Sequence, residues 1–541
     1  MFKQTLFAAA AATALGATLY GTTLSLAPAA EAEVLNYAGT TPALTMDPHA
    51  TNDFVTTAIF RQVYDSLVGL SLDMEIVPGI AESWEYLGDN TWRFQIRDDV
   101  VFHDGRPLTA ADVAFSIMRQ KDSRFYTALF GGIEEAVAVD DYTVDVISSA
   151  PDPILPRKMT RLFVMSQSWL EENGSLEIPD LGAEGSEGFT VRNANGTGPM
   201  MLTEHNPQVI TSFQRNESYW GDFPGNVTEA HYTPIGSAPT RVAALLSGEV
   251  QLITDLPLQD IERIEGAEGF QVVQTPQFLW MQLEMDGTRD VALDTWNNDE
   301  TPIESNPFAD TRVRQAIAHA IDAELIVDRV MRGNARVVGV ASAPGLGGYQ
   351  EDLDVHWAFD PERSRALLAE AGYPDGFITQ LNCPLERYVN TEETCRAVAS
   401  MLDRIGIEVR VNGMVWPEFA RMLVNGPTSS FHLIGTGPNS FDTQDTFTAV
   451  MMTRDAEANE GFFNWALYSN ETVDMVAHEL PVTFDEERRQ ELYRIGLEVA
   501  RETVSSVYLH QLMITWGMQD SVEAPIRSDA TLTLQNVVIG E

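Results

Sequence analysis

Positive charge is scarce in this sequence of 541 residues. Lysine and arginine together number 34 against 79 aspartates and glutamates, so the formal net charge is -45 at pH 7. Nucleic acids and anionic membranes require a basic protein surface, so the composition argues against both as partners. A solvated acidic surface suited to a saline environment explains the charge. Steering of a cationic ligand would require the acidic residues to line one cleft.

Cysteine is also rare, with Cys383 and Cys395 as the two examples. No C-x-x-C motif occurs and no histidine lies at ligand spacing beside either cysteine, which argues against a zinc site. The nine histidines are scattered, so we expect no metal and no other cofactor. In an oxidising compartment the two cysteines can form one disulfide. The alternative is a pair of buried free thiols.

Long apolar runs are confined to the N-terminus. Lys3 precedes a stretch rich in alanine and leucine, and Ala30-Glu31-Ala32 fits the small-x-small cleavage rule. We therefore predict a signal peptide over 1–32; a membrane anchor is the weaker alternative, because Thr, Gly and Pro interrupt the stretch. No cysteine lies near the cleavage site, so we expect a free periplasmic protein without a lipid anchor. No later run reaches the roughly 18 residues of a membrane span.

Common catalytic motifs are missing. The sequence contains no G-x-S-x-G, H-E-x-x-H, Rossmann or P-loop pattern. Carboxylate pairs alone do not indicate a glycosidase in a chain this acidic. We therefore expect a protein that is not an enzyme. A chaperone or signalling receptor would need an exposed apolar groove or a partner helix, and no such stretch stands out.

Local patterns predict alternating strands and helices. The segment TWRFQIRD alternates apolar and polar residues from Trp92, which predicts a half-buried strand. Thr109 with Asp112 three positions later predicts a capped helix start. The residues 137–146 form a hairpin pattern around two aspartates. Asp310 and Asp360 are predicted to cap two further helices.

The exact amino-acid sequence of these segments carries more information than their periodicity. Residues 81–119 (AESWEYLGDNTWRFQIRDDVVFHDGRPLTAADVAFSIMR) closely resemble the signature of the family 5 extracellular solute-binding proteins. These are the peptide-, nickel- and oligosaccharide-binding receptors of bacterial ABC importers. Further segments resemble blocks of the same family in the same order, namely 44–49, 196–199, 215–221, 241–257, 308–322, 360–377, 470–474 and 488–499. The resemblance covers nearly the whole mature chain.

The resemblance implies an α/β, two-lobed periplasmic binding protein-like fold of type II, cluster C, with an extra subdomain in lobe I. The implied organisation is a signal peptide over 1–32, lobe I over 33–302 with the subdomain at about 76–200, lobe II over 303–504, and a return to lobe I over 505–541. The polar stretch 286–306 is predicted to cross between the lobes. Hinge closure would bury the ligand.

The resemblance also directs the choice of ligand-binding candidates. Arg387 can pair bidentately with a carboxylate or phosphate, the alternative being a surface or structural arginine. Tyr388, Trp416 and Trp280 can form walls for an apolar ligand body, although core packing is the commoner role of such residues. The remaining candidates are Asn52 after the Asp47-Pro48 element, Asn390, Gly435, Thr436, Gly437 and Asp442.

One departure from the family bears on the ligand. Peptide binders of the family hold the ligand amine with an Asp in a Gly-Trp-x-x-Asp loop, which corresponds here to 433–447. In this chain Thr436 occupies the position of the family Trp. Asn439 and Ser440 fall near the position of the family Asp. Asp442 and Asp445 follow. Recognition of a free amine is therefore in question.

From the resemblance we expect a periplasmic receptor that delivers a small peptide or peptide-like solute to an inner-membrane ABC permease. An oligosaccharide, an opine-like conjugate or a chelated metal is the alternative ligand. We expect a monomer that does not bind nucleic acid.

Overall fold

The computed structural model describes residues 33–181, 188–385, 387–424, 428–458 and 460–540. The predicted signal peptide lies outside the described residues. Within them the chain forms a mixed α/β fold. None of the described helices combines the length and the apolar character that crossing a bilayer requires.

The strands are numbered β1 to β20 in chain order. They are Glu33–Gly39, Val68–Leu70, Ile76–Pro78, Ala81–Gly88, Thr91–Ile96, Ile133–Asp140, Thr143–Ser148, Met200–Asn206, Ile210–Arg215, Val227–Pro234, Leu252–Ile253, Phe270–Met285, Thr295–Trp296, Ala335–Val337, Phe377–Leu385, Ile407–Val415, Phe431–Thr436, Val507–Gln519, Val522–Glu523 and Val538–Ile539.

The α-helices are numbered α1 to α15 in the same way. They are Phe54–Val63, Ala110–Lys121, Thr127–Phe130, Leu155–Lys158, Gln167–Glu172, Phe189–Arg192, Ala238–Ser247, Ile261–Glu265, Thr311–Ala320, Ala323–Arg329, Pro361–Glu370, Thr391–Asp403, Trp416–Val424, Glu471–Glu479 and Glu486–Glu502.

One large sheet runs through the molecule in the order β13-β15-β17-β12-β18-β11-β1-β10-β9-β8, with β14 beside β18 and β16 beside β15. A separate antiparallel sheet has the order β4-β5-β7-β6. Two short pairs, β2-β3 and β19-β20, complete the strand pairing of the described residues.

The two long strands β12 and β18 join the two ends of the large sheet. From Phe270 to Pro276, β12 pairs with the C-terminal half of β18, which also pairs with β11. From Trp280 onward, β12 pairs with β17 and with the N-terminal half of β18. The register shifts between Pro276 and Trp280. The ladder is therefore interrupted where its neighbours change.

Separate apolar clusters pack against different parts of this frame. One surrounds β1 and β10 and includes Phe60 and Trp516. Another fills the space between the four-stranded sheet and α2. A third packs α9 and α12 against β15 and β17. The predicted lobe limits stay a prediction; the stretch 286–306 contains β13, which pairs with β15.

Several local predictions are confirmed. The alternating segment is β5, in which Phe94 and Ile96 are buried. The backbone N–H of Thr109 donates to Asp112 Oδ2 at 3.1 Å at the start of α2. The predicted hairpin is the pair β6 and β7.

Two predicted helix starts are confirmed as well. The backbone N–H of Arg312 donates to Asp310 Oδ1 at 2.8 Å at the start of α9. The backbone N–H of Arg363 donates to Asp360 Oδ1 at 2.9 Å at the start of α11.

Candidate functional site

Two adjoining cavities of about 410 and 550 Å³ lie beside the register shift of β12. Both volumes fall in the roughly 300–1,000 Å³ range of small-molecule sites. The cavities share the lining residues Leu279, Arg387, Tyr388, Gly437, Pro438 and Asn439. We therefore treat them as one cleft.

One side of the cleft, here called the second wall, is built from Arg387, Tyr388, Trp416 and the segment 435–439. The guanidinium carbon of Arg387 lies 4.8 Å from the ring centroid of Trp416 and 5.4 Å from that of Tyr388. Arg387 is exposed and forms no ion pair with a carboxylate of the described residues. Its charge is therefore available to an anionic ligand.

The end of β17 contributes glycines where backbone must approach closely. A Cβ on Gly437 would lie 2.0 Å from the carbonyl oxygen of Phe278, and one on Gly435 would lie 2.7 Å from the Tyr388 ring. The Tyr388 hydroxyl donates to the Gly435 carbonyl at 3.3 Å. Burial raises the pKa of Tyr388. The glycines thus place β17 against both the shifted part of β12 and the aromatic wall.

A disulfide flanks this wall. The Sγ atoms of Cys383 in β15 and Cys395 in α12 are bonded, and the cysteines are 12 residues apart. Both are fully buried. Arg387 and Tyr388 lie in the loop between them. The bridge therefore restricts the segment that presents the guanidinium.

The other side of the cleft, here called the first wall, comprises Asn52, Thr57, Arg61, Arg161 and Asp529. Arg527 holds Asp529 through two contacts, one from Nε to Oδ1 at 3.1 Å and one from Nη2 to Oδ2. Arg61 Nε lies 3.8 Å from Asp529 Oδ2. One buried carboxylate therefore serves two buried guanidinium groups.

Electrostatics in the first wall follow from this arrangement. Burial, together with the nearby charges of Arg527 and Arg161, lowers the pKa of Arg61 to about 9, and the charge of Asp529 limits the decrease. Burial alone would raise the pKa of Asp529, but the charges of Arg527 and Arg61 hold it below its usual range. Asp529 is therefore ionised at neutral pH, and Arg61 remains protonated.

Some of the buried polar atoms without hydrogen-bond partners lie at the cleft. Within the described part of the chain, Thr446 Oγ1 and Trp465 Nε1 are such atoms, and both residues line the smaller cavity. Thr446 begins a π-helical turn, Thr446–Met451. A buried polar group normally has a partner. A ligand in the cleft is a suitable partner for both.

Asp445 also lines the smaller cavity. It accepts a hydrogen bond from the backbone N–H of Ser440 at 2.8 Å. Burial raises its pKa, which this hydrogen bond and the charge of Lys158 partly offset. A carboxyl group in this position gains from a cationic partner.

The structure brings most of the predicted site residues together. Seven of the predicted residues line the cleft: Asn52, Arg387, Tyr388, Trp416, Gly435, Thr436 and Gly437. Asn52 also donates from Nδ2 to the Phe125 carbonyl at 3.3 Å.

Three predicted residues lie elsewhere. Trp280 is fully buried in an apolar cluster and donates from Nε1 to Gln282 Oε1 at 3.1 Å. Asp442 is buried and accepts from the Tyr493 hydroxyl at 2.6 Å. Asn390 donates from Nδ2 to the Val330 carbonyl at 2.8 Å. Each is placed by packing or by internal hydrogen bonds, and the cleft is not lined by them.

Sequence reasoning missed the basic part of the first wall. Arg61 lies in IFRQV, among the apolar residues of α1, and Arg161 is the last residue of a short helical turn, Met159–Arg161. A cation within an apolar run, in a chain with so few cations, is a usable signal of a special role. Asp529 carried no comparable signal.

This geometry defines a class of protein: a two-lobed α/β binding protein whose long strands link the two parts of its sheet beside a ligand-sized cleft. The fold agrees with HbpA2 from Haemophilus parasuis at a TM-score of 0.79 and 22% identity, over 94% of this chain and 100% of that one. The predicted periplasmic binding protein-like fold is confirmed.

Sequence comparison gives the family. Residues 75–457 match the model of the family "Bacterial extracellular solute-binding proteins, family 5 Middle". The dipeptide-binding protein of Escherichia coli is 25% identical over 475 residues, covering 82% of each chain. The glutathione-binding protein GsiB of Pectobacterium atrosepticum is 25% identical over 458 residues, covering 83% of each chain. This chain belongs to the family 5 extracellular solute-binding proteins, whose members serve transport.

Proposed function

We propose that this protein is the periplasmic receptor of an ABC importer and captures a small peptide or peptide-like solute. The observation that carries the proposal is the exposed Arg387 guanidinium, which forms no ion pair with a described carboxylate and lies beside two aromatic rings at the edge of a ligand-sized cleft. The names of the dipeptide-binding and glutathione-binding relatives support it. The protein would act as a monomer and deliver its solute to an inner-membrane permease.

Each part of the cleft takes one part of such a solute. Arg387 binds a carboxylate, since a guanidinium pairs well with that group. Tyr388 and Trp416 contact the apolar body. Asp445 binds the amine, in place of the family Asp whose position falls near Asn439 and Ser440 here, because Asp445 lines the cavity and Asp442 does not.

Capture depends on hinge closure around β12 and β18. The register shift between Pro276 and Trp280 supports a hinge there, since the ladder is weakest at that point. The closeness of the two cleft walls to this shift supports it further. The protein would reach the periplasm through the predicted signal peptide at 1–32.

Isothermal titration calorimetry of the mature protein with a library of dipeptides and tripeptides tests the proposal. We expect at least one peptide to bind in the micromolar range or tighter. Its N-acetylated and C-amidated forms should bind at least tenfold more weakly, because charge-assisted hydrogen bonds are lost.

Arg387→Gln should reproduce the loss caused by C-amidation, whereas Arg396→Gln, an exposed arginine of α12, is the matched control. Equal affinity of free and blocked peptides would contradict the assigned roles. Binding of oligosaccharides, opine-like conjugates or metal chelates in place of every peptide would identify the alternative ligand class.

A further inference from the structure

The first wall holds three buried polar atoms whose hydrogen-bonding capacity is unused. Among the described residues, Thr57 Oγ1, Arg61 Nε and Arg161 Nε have no hydrogen-bond partner. All three residues line the cavity of about 550 Å³. Two of these atoms belong to guanidinium groups and the third to a hydroxyl, so each of them can donate a hydrogen bond to an oxyanion.

The wall also has more positive than negative charge. Arg61, Arg161 and Arg527 interact electrostatically around Asp529, whose two oxygens are both held by Arg527. Arg161 forms no ion pair with a carboxylate of the described residues. Its guanidinium carbon lies 5.5 Å from the Phe441 ring centroid.

Asp255 also lines the cavity but is exposed, and it accepts from the Thr40 hydroxyl at 3.0 Å. The side chain of Arg61 is only 9% exposed. A buried cation without a full counter-charge is costly, because it has lost its hydration without gaining a full ion pair. The arrangement is explained if a ligand supplies the missing negative charge.

We propose that Thr57, Arg61 and Arg161 form a second carboxylate-binding subsite, separate from Arg387. The preferred solute is then a peptide-like molecule with two carboxylates, such as a short peptide with an acidic side chain. This inference rests on the proposed function and narrows its ligand class. The dicarboxylate would contact both walls and thereby favour the closed form.

Matched peptides test the subsite on the mature protein. Calorimetry would compare tripeptides that carry Glu at one position with the same tripeptides carrying Gln, which has nearly the same shape without the charge. We expect the Glu peptide to bind about tenfold or more tightly in at least one pair. The preference should weaken as salt is raised from 50 to about 500 mM.

Variants locate the effect. Arg161→Gln and Thr57→Val should each reduce the Glu-to-Gln preference, to below about threefold for Arg161→Gln. Arg124→Gln, whose side chain is 68% exposed, should keep the full preference. Thermal unfolding of each variant verifies that it is folded.

The outcomes separate the two proposals. Equal affinity for Glu and Gln peptides in every pair would overturn the subsite while leaving the peptide receptor intact. A preference that survives in Arg161→Gln and Thr57→Val would also overturn it. If no peptide of either kind binds, the proposed function fails, and the subsite fails with it.

Discussion

The two walls of the cleft use the same chemical group in opposite ways. On the second wall, Arg387 is exposed, rests against aromatic rings and has no carboxylate partner among the described residues. On the first wall, Arg61 is buried and lies beside a buried carboxylate. The exposed Arg387 of the second wall presents its charge at little cost in desolvation. The buried Arg61 of the first wall requires a compensating ion pair for the wall to be stable.

This difference between the walls indicates at which residues a substitution can change ligand affinity without changing the stability of the fold. The Asp529 ion pairs support the first wall, so disturbing them affects folding as well as the ligand. Arg387 forms no ion pair with a described carboxylate, so its replacement should lower ligand affinity without lowering stability. Four predictions test this contrast between the walls, from the largest expected effect to the smallest.

Replacement of Asp529 by Asn should have the largest effect on stability. The change leaves Arg527 and Arg61 buried without their carboxylate, and breaking a buried pair in this way costs about 3–5 kcal/mol. Urea unfolding at pH 7 would measure the free energy of unfolding. Asp99→Asn is the control, because that side chain is 53% exposed and should change stability by less than about 1 kcal/mol. Equal losses in the two variants would mean that the first wall does not depend on its ion pair.

Removal of the disulfide tests the support of the second wall. Cys383→Ser combined with Cys395→Ser should lower the free energy of unfolding by about 2–3 kcal/mol, because the loop that the bridge closes is short. Peptide affinity should also fall, since the bridged segment carries Arg387 and Tyr388. Reduction of the unmodified protein with dithiothreitol should give the same two effects. Unchanged affinity after a stability loss would show that the bridge does not position the guanidinium.

The sequence predicted the second wall better than the first for a physical reason. Arg387, Tyr388 and Gly435 to Gly437 fall in short segments whose wording resembles the family, so local reading found them. The first wall combines Thr57, Arg161 and Asp529, which are distant in the chain and meet through packing of α1 against the C-terminal segment. No local sequence pattern predicts that these distant residues lie together in the fold.

The fold followed from the sequence in a similar way. Caps and hairpins depend on neighbouring residues, and those at Asp112, Asp310 and Asp360 were predictable. The error at Trp280 has another cause. Strand alternation does not reveal which face of a central strand is covered, and both faces of β12 are covered at this point.

Acidic pH should lower the free energy of unfolding through buried His49, which lies near the first wall. His49 is fully buried and contacts Asp47 and Arg119; its Nε2 donates to the Phe163 carbonyl at 2.9 Å. Burial lowers its pKa to about 3, and the charge of Arg119 contributes. The unfolded chain, with a histidine pKa of about 6.5, binds the proton more readily. The contribution of neutral His49 is therefore complete above about pH 6.5 and is lost as the pH falls toward 3.

At pH 5 this single histidine should cost about 2 kcal/mol relative to pH 7.5. Urea unfolding at several pH values would measure the slope. His49→Gln should be less stable at pH 7.5 but show a shallower dependence on pH. His478→Gln, whose side chain is 59% exposed, should keep the original slope. A His49→Gln slope equal to that of the unmodified protein would contradict the assignment.

The smallest effect should come from the aromatic surface behind Arg387. Trp416→Ala removes the ring that lies 4.8 Å from the guanidinium carbon, and a cation–π contact at an exposed site is worth about 0.5–1 kcal/mol. We expect peptide affinity to fall about three- to fivefold with little change in thermal stability, because Trp416 is only half-buried. Trp416→Phe keeps an aromatic face and should lose less than half of that free energy. If the Ala and Phe variants bind equally well, Arg387 acts without its aromatic neighbours, and the contrast between the walls reduces to the ion pairs at Asp529.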